Sequence, residues 1–340
     1  MVSDDTNGQT ADVFLRDLST GNLSHISRAN ADSRSGNADS SGGLISGDGT
    51  IVAFNSVATN LVDGDTNNVQ DAFVWQSTSN PALRIISRNG ATLGNGASRV
   101  QDVSANGRVV FSSSASNLAA ADGNGIGEDI FLWDPANPDN VTLVTRNANG
   151  ASNAAAISQD GNFIVFTSDA SNLVAGDTNG VSDIFRYEVA TRNMTLISQS
   201  PTGVGNNASL SPSISADGQV IAFVSQATNL TANADTNSGS DIFVWRASTG
   251  NIELASVNPG GTSATLPIGS FGSGSFRPTV SADGQFVVFA SNGTDLSPND
   301  TNGGLLDHLR PQPQWHPQHE LDQCPSQRPK RRWQLGQSRD

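Results

Sequence analysis

The sequence predicts an all-β molecule, a β-propeller of four-stranded blades, on three observations. An Asp-x-Asn loop recurs six times, at intervals of 55 to 65 residues. A second marker, Ser-x-(Asp/Asn)-Gly, recurs five times in step with it, at Ser46, Ser104, Ser158, Ser215 and Ser281. Short apolar runs such as Val220 to Val224 lie between the markers, and no stretch has helical periodicity. A period of this length means stacked units that share one core, which overrides the two or three separate domains that 340 residues would otherwise suggest.

The stretch from Leu210 to Ser256 serves as the template for one unit. Ser211 to Ser215 reads as a first strand, ended by Asp217-Gly218, because Asp-Gly between apolar runs is a strong hairpin signal. Gln219 to Ser225 reads as a second strand. Its apolar residues are consecutive rather than alternating, so both faces are expected to be covered. A long polar loop, Gln226 to Ser240, follows. Asp241 to Trp245 opens a third strand, Ser248-Thr249-Gly250 turns the chain, and Asn251 to Ser256 makes a fourth. Four short strands per period, each sheet packed between two neighbours, describe a propeller blade.

These residues carry a resemblance. The run Ser-x-Asp-Gly-x-x-(Val/Ile)-(Ala/Val)-Phe followed by Asp-Ile-Phe-Val resembles the WD-like repeat of the TolB-type β-propeller family, over about residues 10–305. This sequence departs from it by a longer loop between strands two and three. That family includes periplasmic envelope proteins and secreted ones, so the resemblance implies a periplasmic or extracellular parent protein and little about activity.

Strand counting gives four full blades from about Gly42 to Ser256. Asp12–Ser27 supplies strands three and four of another blade, and Phe276–Ala290 supplies strands one and two. The two halves are expected either to pair as a composite fifth blade, which would remove exposed edges, or to be remnants of a propeller of six or more blades. The propeller domain is placed at 1–306. Residues 307–340 hold three of four His, the sole Lys and the sole Cys, Cys324, with no repeat pattern, and are read as a frameshifted, disordered tail. The start lacks the basic and apolar regions of a secretory signal, so both ends are read as cut.

Composition narrows the function. Hydrophobic residues make up 36%, and 34 glycines suit many turns. Residues 1–307 carry 12 basic against 29 acidic groups, which repels phosphate backbones and makes nucleic acid an unsuitable partner. No run of 18 apolar residues is present, so membrane insertion through a helix is not expected. One cysteine forms no intrachain disulfide.

The candidate site is the recurring acidic loop with the Asp that opens strand three. Its members are Asp5, Asn7 and Asp12; Asp65, Asn67 and Asp71; Asp122, Asn124 and Asp129; Asp177, Asn179 and Asp183; Asp235, Asn237 and Asp241; and Asp300 with Asn302. Oxygen ligands alternating along a glycine-containing loop are what Ca²⁺ takes, and the first residues resemble the calcium loops of integrin-type propellers, with shorter spacing and no central acid. The same residues also read as Asx turns, in which short polar side chains hold the loop ahead of strand three. Asp-Gly pairs read as hairpin turns. Phe54, Phe111, Phe166, Phe223 and Phe289 in strand two, and Phe14, Phe73, Phe131, Phe185 and Phe243 in strand three, read as core between blades. Trp75, Trp133 and Trp245 read as packing or as a sugar-stacking surface.

Catalytic parts are sparse. No Gly-x-Ser-x-Gly elbow occurs, and before the tail the only histidine is His25, so a Ser-His-Asp arrangement would have to use it. Outside the tail no His/Cys cluster suits zinc or haem iron. The expected function is therefore a non-enzymatic scaffold that binds a protein or glycan partner, with loops stabilised by calcium. The alternative is the propeller portion of a truncated peptidase, lyase or glycoside hydrolase.

Overall fold

The structure is a computed structural model. It describes residues 7–31, 34–78, 82–231, 235, 237, 239–265, 275–298, 307–310 and 320–322, with backbone alone for 277, 307–310 and 320–322. Among the described residues there is no helix, and so none long and apolar enough to cross a membrane.

Strands β1 (Phe14–Arg16) and β2 (Leu23–His25) form a two-stranded sheet. Five four-stranded antiparallel sheets follow in chain order. The first contains β3 (Ser40–Ile45), β4 (Ile51–Ser56), β5 (Asp71–Gln76) and β6 (Leu83–Ile85), and a small hairpin, β7 (Arg88–Asn89) with β8 (Thr92–Leu93), leads onward. The second contains β9 (Ser98–Val103), β10 (Val109–Ser113), β11 (Asp129–Trp133) and β12 (Val141–Leu143). The third contains β13 (Ser152–Ile157), β14 (Phe163–Ser168), β15 (Asp183–Glu188) and β16 (Met194–Leu196), followed by the hairpin β17 (Gln199–Ser200) with β18 (Gly203–Val204). The fourth contains β19 (Ser209–Ile214), β20 (Val220–Ser225), β21 (Asp241–Arg246) and β22 (Ile252–Leu254). The fifth contains β23 (Ser275–Val280), β24 (Val287–Ser291), β25 (Asp307–Arg310) and β26 (Glu320–Asp322).

Every four-stranded sheet is a meander in which each strand pairs with the next, as the template requires. The fourth strand is shorter than the sequence suggests, Ile252–Leu254 rather than Asn251 to Ser256. Ser256 leaves the ladder because its hydroxyl is engaged at the head of strand three.

Alternate residues of one strand face opposite neighbours, and this makes the stack. Phe111, Phe131 and Trp133 pack on Ile51, Ala53 and Val74 of the sheet before, whereas Val110, Ile130 and Leu132 pack on Ile164, Phe166 and Phe185 of the sheet after. The same exchange joins the third sheet to the fourth and the fourth to β23–β24. At its centre each of the first four sheets has a stacked Phe pair across strands two and three, with centroids 5.4 to 5.9 Å apart: Phe54–Phe73, Phe111–Phe131, Phe166–Phe185 and Phe223–Phe243. All eight rings are fully buried, as expected, and each such side chain contributes roughly 1.5–3 kcal/mol.

Neighbouring sheets also join at the first hairpin turns. Ala105 N–H donates to Gln159 O, Asp160 N–H to Ala216 O and Ala216 N–H to Ala282 O. The Asp-Gly turns cap themselves: Ser46, Ser158, Ser215 and Ser281 donate to Asp48, Asp160, Asp217 and Asp283 at 2.6 to 2.7 Å. These serine hydrogen bonds hold the Asp48, Asp217 and Asp283 carboxyls below the usual carboxylate range.

Two expectations are corrected. Strands β1–β2 and β23–β24 do not pair as a composite blade; β24 pairs with β25, Ser291 opposite Asp307, as Ser225 stands opposite Asp241 in the fourth sheet. β25 follows β24 by 15 residues, whereas 249 separate β2 from β23, and the smaller closure costs less entropy. Phe14 is not core: it is 40% exposed, because its sheet lacks the second strand that supplies a stacking partner elsewhere. Residues 307–310 and 320–322, assigned to the tail by sequence, form β25 and β26. The rest of that stretch lies outside the described residues.

Candidate functional site

At the end of each of the first four four-stranded sheets opposite the first hairpin turn, the acidic loop comes together with the linker to the next sheet. The strand-three Asp does not point to solvent. Asp71, Asp129, Asp183 and Asp241 are 0 to 2% exposed, and each accepts a hydrogen bond at 2.5 to 2.6 Å from a hydroxyl that follows strand four: Ser87, Thr145, Ser198 and Ser256. That hydroxyl in turn accepts the N–H of the next strand-three residue, Ala72, Ile130, Ile184 or Ile242. Asp12, Ser27 and Val13 repeat the arrangement in the first hairpin. Each clamp locks strand four to strand three where the backbone ladder ends.

The loop Asn is a strut. Asn7, Asn67, Asn124, Asn179 and Asn237 donate through Nδ2 to Gly36, Gly94, Gly150, Gly205 and Ala264 O at 2.9 to 3.0 Å. All five acceptors lie in the linker to the following sheet. Oδ1 of Asn67, Asn179 and Asn237 accepts the N–H two residues on, and Asp122 Oδ1 accepts Asn124 N–H, which is the Asx-turn geometry. Asp5, Asp300 and Asn302 lie outside the described residues.

A second tie was missed by sequence reading. The backbone N–H groups of Asn37, Asn95, Asn149 and Asn206 in the linker donate to Oδ1 of Asn60, Asn117, Asn172 and Asn229, and their Nδ2 groups donate to the hydroxyls of the residues just before these, Thr59, Ser116, Ser171 and Thr228. Its signal is in the sequence: Ala58-Thr-Asn-Leu61, Ala115-Ser-Asn-Leu118, Ala170-Ser-Asn-Leu173 and Ala227-Thr-Asn-Leu230 recur in phase. The clamp hydroxyls recur likewise, each one residue after an apolar residue: Ile86, Val144, Ile197 and Ala255.

The electrostatics follow from burial. Desolvation pushes the Asp71, Asp129 and Asp183 carboxyls up to about 6 and Asp241 up to about 7; the hydroxyl hydrogen bonds pull the other way, and the first loop acid adds like charge. Burial also raises Asp65, Asp177 and Asp235.

The structure does bring Ser, His and Asp together. Ser27 Oγ donates to Asp12 Oδ1 at 2.7 Å, while His25 Nε2 lies 3.1 Å from Asp12 Oδ1 and 3.3 Å from Ser27 Oγ. Ser27 is fully buried, and its proton goes to Asp12 rather than to His25. This is the clamp of the first four four-stranded sheets with a histidine beside it, not a nucleophile presented to a substrate. Trp133 is fully buried with Nε1 donating to Pro138 O at 3.0 Å, and Trp245 is 8% exposed, so both pack rather than offer a sugar platform. Trp75 is half-buried.

Four-stranded meanders stacked face to face, with their linkers tied by the same residues in each period, define a protein of β-propeller class. No family model matches the chain, and no curated protein does. Among solved structures it is similar to TolB from Acinetobacter baumannii, with 19% identity, a TM-score of 0.43, and coverage of 90% of this chain and 59% of that one. It is also similar to a TolB structure from Agrobacterium tumefaciens, with 17% identity, a TM-score of 0.43 and 86% of each chain covered. A puromycin-hydrolysing peptidase of Mycobacterium tuberculosis matches at 10% identity and a TM-score of 0.48, over 91% of this chain and 41% of that one. These similarities concern the fold alone, and the chain spans 59% of the length of the A. baumannii protein.

Proposed function

We propose that the chain is a non-enzymatic scaffold of TolB-like propeller type that binds protein or glycan partners at the cell envelope or outside the cell. The observation that carries this reading is the equivalence of the repeats. Among the described residues, the acids and hydroxyls that could act as reactive groups are bonded to one another inside five sheets in the same way, and where a histidine joins them, at His25, the Ser27 hydroxyl still donates to Asp12. Blades of this kind, about five in number here, work by presenting their edges. Calcium held by the acidic loops belongs to the same reading, since rigid loops are what a binding edge requires.

An open cleft of about 800 Å³ beside β22 suits a polar ligand. Ser200, Asn251 and Glu253 offer hydroxyl, amide and carboxylate groups over an apolar floor that includes Ile252 and Leu254. The test is a glycan array and a peptide array probed with the purified chain, alongside fluorogenic peptide and glycoside substrates. Retention of a glycan or peptide class without turnover is expected, weakened by Asn251→Ala. Turnover abolished by His25→Gln would instead assign the chain to the propeller portion of an enzyme.

A further inference from the structure

The acidic loops contain buried oxygens that neither the clamps nor the struts use. Asp65 is 8% exposed and Asp177 6%, and in each the Oδ1 atom is buried without a hydrogen-bond partner. Asp71 Oδ2 is in the same state, and so are Asp122 Oδ2 and Asn124 Oδ1 in the next loop. An unsatisfied carboxylate oxygen at this depth is costly, and here the cost recurs in phase with the repeat. Chance does not repeat an orphaned acid at one position of successive units.

The two acids of each loop also face one another. Asp65 acts on Asp71, Asp122 on Asp129 and Asp177 on Asp183 as like charges, and the Asp122 and Asp129 carboxyl groups are within hydrogen-bonding reach. The arginines Arg84, Arg108 and Arg246 are engaged elsewhere, with Asp139, Asp134 and Glu253. The groups that act on the strand-three acids are hydroxyls, amides and the partner carboxylate.

We infer that the three loops described throughout, 65–71, 122–129 and 177–183, each hold one hard divalent cation, best matched by Ca²⁺, between the first Asp and the strand-three Asp. The inference deepens the scaffold reading and rests on it only for the role of the loops. The ligands differ from the set the spacing suggests. Asn67 and Asn179 have both ends of their amides occupied, and Asn179 Nδ2 donates to Asp183 Oδ2 as well, at 2.7 Å. Asp65 and Asp71 therefore each bring an unengaged oxygen. Asp177 brings one while Asp183 adds only the second lone pair of an oxygen already hydrogen-bonded, and only Asn124 has an amide oxygen to add. Among the described residues no three His, Cys, Asp or Glu side chains gather as a metal cluster, so two carboxylates per loop leave the remaining coordination to carbonyls and water. Such a site favours Ca²⁺, with its flexible shell, over Mg²⁺, which demands an octahedron, and gives a Kd of about 10⁻⁴–10⁻³ M, as in extracellular modules.

The probe is the metal alone, with no partner present. Equilibrium dialysis against ⁴⁵Ca²⁺ at pH 7.5, with thermal melts in Ca²⁺, Mg²⁺ and EDTA, reads the sites directly. The comparison is the full chain against Asp65→Asn, Asp122→Asn and Asp177→Asn combined, changes that keep shape and remove charge. At about ten times Kd, Ca²⁺ should raise the melting temperature of the parent by at least about 5 °C, and Mg²⁺ should do much less. The triple variant should bind about three fewer Ca²⁺ per chain and, because the repulsion is gone, melt in EDTA no lower than the parent. Equal Ca²⁺ counts in parent and variant would overturn the inference, as would an equal response to Mg²⁺, which signals charge screening. Should the variant fold poorly, the parent's count in dialysis decides alone, and no bound Ca²⁺ refutes the sites. The scaffold reading is tested separately by the arrays, which can be probed in EDTA.

Discussion

At the scale of single residues, the clamp between the strand-three Asp and the hydroxyl after strand four is the most informative feature. Ser198 donates to Asp183 and accepts from Ile184 N–H, both fully buried. Ser198→Ala leaves a carboxylate and an amide short of a partner, which costs about 2–3 kcal/mol in urea unfolding, whereas exposed Ser19→Ala stays within about 0.5 kcal/mol. The same acids give a pH signature. In EDTA, Asp71, Asp129 and Asp183 titrate at about 6 and Asp241 at about 7 when folded, above the ordinary 3.8. The folded chain therefore binds more protons than the unfolded one between these values, so their contribution is fully present below about pH 4 and is lost as pH rises through 6 to 7. Melting temperature in EDTA should fall from pH 5 to pH 7.5; a flat or rising profile contradicts the burial described. The sequence made the acids and their period legible, but not their partners. Ser198 lies 15 residues from Asp183, and Gly205 lies 26 from Asn179, so these bonds exist only once the sheet and linker have folded.

At the scale of the elements, strands two and three form the centre of each sheet. Consecutive apolar residues showed that in the sequence, because only a strand covered on both faces can afford them. Phe223→Ala removes a fully buried ring stacked 5.9 Å from Phe243 and should cost about 3–5 kcal/mol. Phe14→Ala, at 40% exposure and beside the His25 ring at 4.8 Å, should cost about 1 kcal/mol or less. The turns carry a matching constraint. Gly218 has φ +69°, and an added Cβ would press on the Phe163 ring of the preceding sheet, so Gly218→Ala destabilises through both strain and contact. Loss of stability from Gly250→Ala, where φ is +68° and the space is open, should be smaller, and paired thermal melts check the difference. The pairing of β24 was not legible. Matching half-blades by strand type pointed to β1–β2, whereas Asp307–Arg310 lack the Ile-Phe-Val letters of a third strand and share only its leading Asp and its distance from strand two.

At the scale of the whole molecule, similar sheets stack in chain order, each buried by its neighbours and tied to the next through its linker. Such an array is stabilised by nearest-neighbour interfaces, so protection against exchange should repeat with the period of the sequence. Hydrogen–deuterium exchange resolved to single strands tests this most directly. Residues 51–56, 109–113, 163–168 and 220–225, the second strands, should exchange slowest in their sheets, and 83–85, 141–143, 194–196 and 252–254, the outer fourth strands, fastest. Second strands that exchange as freely as fourth strands, or protection that does not recur from one period to the next, would contradict the stacked-sheet account.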